Sequence, residues 1–228
     1  MLDTLIKILP KMLSGAGITL AVAIVALVVG LILGLILALG RLSKNKFIDR
    51  ISFFYIWLFR GTPLMLQLFF IYYALPDISA SLHLWNNILF PFIITPDKLP
   101  AAFIAFSLNS AAYLAEIIRA AIQSIDKGQM EASKALGMSY GQAMQRVIIP
   151  QSYRRLIPPV GNEFIMLLKD TALVSTIALY DLMRVVSTQV NSSGSTFLFL
   201  PAAALYLLMT TVFTIIFEKL EKKYSQYE

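Results

Sequence analysis

The chain has 228 residues, of which 58% are hydrophobic and only 14% are charged, and its formal net charge is +6. Soluble domains of this size are nearer half apolar, with about a quarter of their residues charged. The composition therefore indicates an integral membrane protein and argues against a soluble globular domain. The absence of cysteine excludes disulfides and a cysteine nucleophile, and a single histidine, His83, excludes a histidine metal cluster within one chain.

Five apolar segments are long enough to cross a bilayer, which takes about 20 residues. The first contains 29 uncharged residues in succession, too many for the apolar region of a cleaved signal peptide. We predict one all-α membrane domain over residues 1–228, with a long polar loop between the third and fourth spans. The predicted spans are 15–42, 53–75, 99–122, 158–179 and 197–217, and the polar loop covers 123–157.

Lysine and arginine are unevenly distributed between the predicted loops. Thirteen lie in the segment 41–50, the polar middle segment and the carboxyl-terminal tail, whereas four lie in the alternate segments. The positive-inside rule therefore predicts an outside amino terminus and a cytoplasmic carboxyl terminus. The basic residues are interpreted as topology signals beside membrane lipid headgroups, so no nucleic-acid partner is expected. The loop 76–98 is predicted to form an amphipathic helix on the outer membrane surface.

Small residues recur at a spacing of four in the first span, at Gly30, Gly34 and Ala38. This spacing allows helix backbones to approach closely. We call this row of small residues the seam. The sequence leaves open whether the seam packs within one subunit or between two.

The polar segment between spans three and four contains the capping and helix-breaking residues expected of two short helices. Asp126 and Ser139 are predicted helix N-caps, because each is followed three residues later by a glutamine. Gly137 is predicted to end the first helix in a left-handed conformation, and Pro150 to end the second. We call residues 126–150 the elbow. It suits either docking to a partner protein or capping of the bundle, and the pattern alone does not separate the two.

The elbow resembles the signature loop of permease subunits of prokaryotic ABC importers: Glu-Ala-Ala, three residues, Gly, nine residues, Ile, one residue, Leu-Pro. Three further stretches resemble the branch of that family that takes up polar amino acids such as histidine, glutamate, glutamine and arginine. They are FRGTPLMLQLFF (59–70), AYLAEIIRAAIQSIDKGQ (112–129) and LLKDTALVST (167–176). The elbow matches the motif at Glu131, Ala132, Gly137 and Pro150, and departs conservatively from it at Ser133, Val147 and Ile149.

The resemblance implies a type I ABC importer permease fold in a prokaryotic cell membrane. It implies that Glu131, Ala132, Ser133, Gly137 and Pro150 couple the chain to ATP-binding cassette subunits. It further implies a second permease subunit, identical or homologous, and an extracytoplasmic amino-acid-binding protein. No glycine in the chain is followed by lysine, so the chain lacks the phosphate-binding loop of an ATPase. We therefore expect a non-catalytic subunit without a cofactor, with ATP and Mg²⁺ bound by the partner.

Charged residues within the predicted spans are costly and usually have a partner or a function. Glu116 and Arg119 are three residues apart and are predicted to pair. Glu163 has no opposite charge three or four residues away. It is interpreted as a substrate contact, as the structural partner of a cation such as Arg60 or Lys169, or as a residue in a water-lined position.

Asn162 and Gln67 are candidates for neutral hydrogen bonds to the same substrate. A substrate contact by Glu163 favours basic amino acids, although a carboxylate also suits any α-ammonium group. The function predicted is the transmembrane pathway of an ATP-driven amino-acid importer. The alternative is a proton- or ion-coupled secondary transporter with Glu163 and Asp170 as relay carboxylates. A membrane enzyme is disfavoured because no catalytic constellation is present, and a purely structural bundle does not explain charges held at depth.

Overall fold

The computed structural model describes residues 2–82 and 97–225, with side chains described for 6–78 and 97–224. Within these ranges the chain is helical apart from short turns and forms no strand. The helices are α1 (Leu2–Arg41), α2 (Lys46–Gly61), α3 (Leu64–Phe69), α4 (Leu75–Leu82), α5 (Lys98–Gln123), α6 (Lys127–Ala135), α7 (Tyr140–Ala143), α8 (Ile149–Asp170), α9 (Leu182–Ser193) and α10 (Phe199–Ser225).

Several of these helices are joined by helical turns of different width. Wide π-helical turns connect α3 to α4 and α7 to α8, so each pair forms one continuous helical path. Tighter 3₁₀ turns follow α8 and precede α10. The π turns are Phe70–Ala74 and Met144–Ile148, and the 3₁₀ turns are Thr171–Ile177 and Thr196–Leu198.

Three described helices are long and apolar enough to cross a membrane, and a bent pair of helices provides a fourth candidate. The three are Ile6–Arg41, Lys98–Gln123 and Thr196–Tyr224, and the bent pair joins Lys46–Gly61 to Leu64–Ile78. Helix α8, which contains most of the fourth predicted span, does not join them because several charged residues interrupt its apolar sequence. The all-α membrane fold is confirmed, whereas the count of five spans stays a prediction.

The small-residue seam of α1 packs against α5 within the same chain. A Cβ atom on Gly34 would lie 3.0 Å from the Cβ of Leu114 and 3.1 Å from the carbonyl oxygen of Ala111. One on Gly30 would lie 3.0 Å from the hydroxyl of Ser110. The structure therefore settles the question left open by the sequence, since this spacing brings two helices of one subunit into close contact.

The second predicted span is not a single straight helix. The chain bends by 103° between α2 and the helix that begins at Leu64. Thr62 is extended because the ring of Pro63 disfavours helical conformation in the preceding residue. Pro63 itself is the N-cap of α3. Helix α2 also begins at Lys46, in the segment predicted to be a loop.

Two apolar clusters hold the bundle together on either side of α1. In one, the amino-terminal half of α1 packs against α8, α9 and α10 around Phe164 and Leu182. In the other, the middle of α1 packs against α3, α5 and the 3₁₀ turn after α8 around Phe106 and Val174. By contrast, only 11% of the most apolar stretch of the last helix is buried within the chain. The remainder of that surface is suited to lipid or a partner subunit.

The predicted outer-surface helix is described only in part. Helix α4 (Leu75–Leu82) covers its beginning. Residues 83–96, which include His83, lie outside the described residues.

Candidate functional site

Glu163 lies in the interior of the bundle between α8 and α5. Its residue is 9% exposed, and its Oε1 atom accepts a hydrogen bond of 3.3 Å from the hydroxyl of Ser110. In the described part of the chain, no lysine or arginine lies within ion-pair distance of this carboxylate. Burying a carboxylate with one neutral hydrogen-bond donor leaves most of its lost hydration uncompensated. This position is therefore suited to a cation that comes from outside the chain.

Arg60 is the described cation whose electrostatic influence reaches the Glu163 carboxylate. Its guanidinium lies 5.3 Å from the centre of the Tyr113 ring, and the residue lines a cavity together with Glu116. Tyr113 follows Ser110 by three residues on α5, so both side chains occupy one face of that helix. The Arg60 guanidinium and the Glu163 carboxylate thus lie along the same strip of α5, with opposite charges.

An open cavity of about 550 Å³ adjoins Arg60. The pair predicted from sequence lies in its wall, where Arg119 donates to both carboxylate oxygens of Glu116 at 3.1 and 2.6 Å, so this pairing is confirmed. Arg41 also lines the cavity, and its own ion pair is with Asp49. With Arg119 paired to Glu116 and Arg41 paired to Asp49, the charge of Arg60 gives the cavity a positive potential, which favours anionic groups such as carboxylates.

Gln67 is buried at the bend between α2 and α3. Its side-chain nitrogen donates to the carbonyl oxygens of Phe59 and Thr62 at 2.9 and 3.0 Å and contacts the Thr62 hydroxyl at 2.8 Å. Its side-chain oxygen accepts a hydrogen bond of 3.0 Å from the amide of Asn109, which also donates to Phe59. Gln67 therefore satisfies the carbonyl groups that the break in the helix leaves without helical partners.

We expect replacement of Gln67 by leucine to destabilise the bend. The change removes the side-chain donor of the half-buried Thr62 carbonyl and leaves the Phe59 carbonyl with Asn109 alone, at a cost of about 1–3 kcal/mol. The melting temperature of the purified protein in detergent should fall, and a double-mutant cycle with Asn109→Ala should show strong coupling. The exposed Gln145, replaced in the same way, should leave the melting temperature nearly unchanged. A Gln67→Leu protein as stable as the wild type would contradict this assignment.

The structure does not gather the three predicted substrate contacts into one pocket. Asn162 is exposed on the face of α8 next to that of Glu163, while the amide hydrogens of Gln67 are used within the chain. The sequence did not lead us to Ser110, which contacts Glu163, or to Tyr113, whose ring packs against the Arg60 guanidinium. Their signal was polar side chains three residues apart in an otherwise apolar span, a spacing that places them on one helix face.

The first half of the elbow forms as its caps predict. The side chain of Asp126 accepts a hydrogen bond of 2.7 Å from the backbone of Gly128, and α6 follows. Gly137 adopts a φ of +80° just after the helix, as predicted. The hydroxyl of Ser133 donates to the carbonyl oxygen of Gln129 at 2.7 Å, and this residue is buried toward the bundle.

The second half of the elbow begins as predicted but does not end there. Ser139 and Gln142 form a capping box, in which each side chain bonds the backbone amide of the other residue at 3.3 and 2.8 Å. The prediction that Pro150 ends this helix is wrong, because the helical path continues from Tyr140 to Asp170. A π turn immediately before Pro150 widens the helix there, which accommodates a residue that cannot donate a backbone hydrogen bond.

The solvent-exposed surface of the elbow includes large apolar side chains, although the segment is polar overall. Leu136 is 80% exposed and Tyr140 is 60% exposed, on either side of Gly137. Glu131 and Ala132 are exposed as well. Large exposed apolar side chains at a rigid turn are typical of an interaction surface.

Comparison with known families identifies this arrangement of helices and elbow. Residues 30–226 match the family described as the inner membrane component of binding-protein-dependent transport systems. The chain belongs to this family. The match covers the seam, the elbow and α10, so the resemblance to amino-acid permeases of ABC importers, predicted from sequence, is confirmed. Proteins of this type are non-catalytic permease subunits, and a separate subunit hydrolyses ATP.

Individual members of the family align with nearly the whole chain. PatM of Vibrio harveyi, named a probable amino-acid ABC transporter permease, is 41% identical over 211 residues, covering 92% of this chain and 90% of its own. ArtQ of Bacillus subtilis, named an arginine transport system permease, is 39% identical over 219 residues, covering 94% and 93%.

Solved structures show the same fold. An amino acid ABC transporter crystallised with histidines has a chain that is 36% identical, with a TM-score of 0.85 and coverage of 96% of this permease and 97% of that chain. The inward-facing methionine transporter MetNI gives a TM-score of 0.73 at 18% identity, covering 98% and 99% of the two chains, which supports the fold alone. The type I ABC importer permease fold predicted from the sequence is therefore confirmed.

Proposed function

We propose that this permease forms the membrane pathway of an ATP-driven importer whose preferred substrates are basic amino acids: arginine, lysine or histidine. Glu163 carries this proposal. Its carboxylate is buried, contacts a neutral hydroxyl and has no described cation within ion-pair distance. A substrate guanidinium, ammonium or imidazolium group supplies the missing positive charge.

The positive charge of Arg60 suits the α-carboxylate end of an amino acid. Every amino acid substrate carries an α-carboxylate, and Arg60 is placed to attract an anion beside the Tyr113 ring. Asn162, exposed on the adjacent face of α8, can donate a neutral hydrogen bond from the pathway side. The amide hydrogens of Gln67 are used at the bend and its side-chain oxygen accepts a hydrogen bond from Asn109, so its proposed contribution to substrate binding is to hold α2 and α3 in place.

The elbow is proposed to receive the motion produced by ATP hydrolysis. The exposed positions Glu131, Ala132, Leu136 and Tyr140 surround Gly137 and offer a surface to an ATP-binding cassette subunit. Ser133 supports this surface from the inside through its bond to Gln129. Pro150 lies where the elbow becomes α8, so it links the docking surface to the pathway helix. ATP and Mg²⁺ are bound by the partner subunit.

The other proposed partners follow from the surfaces that the chain leaves uncovered. Most of α10 is exposed, which suits contact with lipid and with a second permease subunit, identical or homologous, around a twofold axis. A substrate-binding protein is proposed to deliver the amino acid on the side opposite the elbow. In this orientation the amino terminus is outside, the carboxyl terminus is cytoplasmic and the protein spans a prokaryotic cell membrane.

Replacing Glu163 by glutamine tests the substrate class. We expect the efficiency of arginine uptake into proteoliposomes containing the complete transporter to fall about tenfold or more, because a charge-assisted bond worth about 1.5–3 kcal/mol is lost. Uptake of glutamine, which lacks a side-chain cation, should change much less. The measurement is the initial rate against substrate concentration with ATP inside the vesicles.

Two controls make the outcome specific. Glu221→Gln removes an exposed carboxylate from the tail and should leave both uptakes unchanged. Omission of the ATP-binding subunit should abolish both. Unchanged arginine uptake by Glu163→Gln would remove this residue from the site. An equal loss for both substrates would overturn the preference for basic amino acids.

A further inference from the structure

A groove of about 590 Å³ opens at the end of the bundle that carries the elbow, between the start of α8 and the end of α10. Its polar wall contains Arg154 and Arg155, and its aromatic wall contains Tyr153 and Tyr224, whose ring centres are 6.4 Å apart. The elbow contributes Pro150 to the lining, but these arginines and tyrosines take no part in the substrate site or in the elbow surface described above. We propose that this groove binds the phosphate headgroup of an anionic phospholipid.

The groove lies at the level expected for lipid headgroups. Helices α8 and α10 run antiparallel here, since Tyr153 meets Tyr224 and Gly161 packs against Phe217. Leu220 is the last apolar residue of α10 before Tyr224. Four residues of helix separate the two, which places the groove about 6 Å beyond the last apolar position. The headgroup region extends roughly 5–7 Å beyond each side of the hydrocarbon core, so a phosphate reaches this level.

The chemistry of the groove matches a phosphodiester. Two adjacent guanidinium groups supply several hydrogen-bond donors and two positive charges, and guanidinium groups bind phosphate well. One of them, on Arg155, also donates to the carbonyl oxygen of Ser124, which fixes its position at the mouth of the groove. In the last turns of α10, Lys219, Lys222 and Lys223 outnumber Glu218 and Glu221, so the positive potential extends along that helix. Basic pockets between membrane helices are typical sites for anionic lipid headgroups.

An apolar surface continues from the groove toward the membrane interior. Leu220 and Ile216, one and two turns before Tyr224, are 39% and 43% exposed. Acyl chains attached to a headgroup in the groove would therefore lie along α10. Free inorganic phosphate has no acyl chain to pack against this surface, so the surface favours a lipid as the ligand.

Native mass spectrometry of the complete detergent-purified transporter tests the proposal. The probes are dioleoyl phosphatidylglycerol, dioleoyl phosphatidylcholine and inorganic phosphate. We expect phosphatidylglycerol to bind at least fivefold more tightly than phosphatidylcholine, and millimolar phosphate not to displace it. The double variant Arg154→Gln with Arg155→Gln should bind phosphatidylglycerol at least tenfold more weakly, since each basic residue near an anionic lipid contributes roughly fivefold in affinity.

Matched variants keep the test decisive. Arg154→Gln alone spares the contact of Arg155 with Ser124 and should still weaken lipid binding about threefold or more, while lysine at both positions should retain it. Lys44→Gln, at the same end of the bundle but outside the groove, should change binding less than twofold. Equal binding of phosphatidylcholine, displacement by phosphate, or unchanged phosphatidylglycerol binding in the double variant would overturn the proposal. So would loss of the ATP-binding subunit from a double variant that still binds the lipid, because the groove would then be a protein-docking surface.

Discussion

Replacement of Gly137 by valine is expected to uncouple ATP hydrolysis from amino-acid uptake. Gly137 has a φ of +80°, and a β-branched residue in this conformation is strained by about 1–3 kcal/mol. The local turn would change conformation to relieve the strain, and the exposed side chains of Leu136 and Tyr140 would move with it. We expect uptake in proteoliposomes to fall at least tenfold while the protein still accumulates in the membrane, since nothing lies within 4 Å of the added Cβ atom.

Two companion variants separate backbone conformation from bulk. Gly141, four residues later, also has open space around its Cβ position but lies in a helix, so Gly141→Val should retain most of the uptake. Gly137→Asn should retain more uptake than Gly137→Val, because asparagine tolerates the left-handed conformation. If Gly137→Val transports normally, the elbow does not couple the permease to its ATPase.

Replacement of Gly34 by leucine is expected to prevent correct assembly of the bundle. The added Cβ would lie 3.0 Å from the Cβ of Leu114 and 3.1 Å from backbone atoms of Ala111 and Ala115, which cannot move aside as a flexible side chain can. Overpacking of this kind costs about 3 kcal/mol or more, because the two helices must separate along their whole contact. The yield of monodisperse protein and its melting temperature in detergent measure the effect.

Gly17 of the same helix provides the control. No atom lies within 4 Å of its added Cβ, and the residue is exposed, so Gly17→Leu should fold with nearly normal yield. A graded series in which Gly34→Ala falls between wild type and Gly34→Leu would support the steric explanation. Equal stability of Gly17→Leu and Gly34→Leu would show that α1 and α5 can separate at the seam without loss of stability.

Local features were the most predictable from sequence. The capping box of Ser139 and Gln142 and the left-handed Gly137 depend on residues within a few positions of one another, so their spacing is sufficient information. The pairing of Glu116 with Arg119 has the same basis. The spacing of Gly30 and Gly34 indicated close helix packing, although only the folded chain shows that the partner is α5.

The errors arose where the folded chain compensates for a local defect, either from a distant residue or within the helix itself. Thr62 and Pro63 interrupt a stretch that is apolar enough for one span, and Gln67 with Asn109 stabilises the resulting bend across 42 residues of sequence. At Pro150 the helix was expected to stop, but a widened turn allows it to continue. Neither compensating feature is marked by a regular spacing of residues in the sequence. The contact between Ser110 and Glu163 was also hard to predict, since these residues are 53 positions apart in the sequence.

The unbroken helical path from Tyr140 to Asp170 has a mechanical consequence. Tyr140 lies on the exposed tip of the elbow and Glu163 lies 23 residues further along the same path, a distance of about 35 Å at the rise of an α-helix. A tilt of roughly 5° about one end would displace the other by about 3 Å over that length. This displacement is comparable with a hydrogen-bond length. The path stays helical through its π turn and through Pro158 and Pro159, so a small rotation imposed at the tip is sufficient to make or break a contact with the carboxylate.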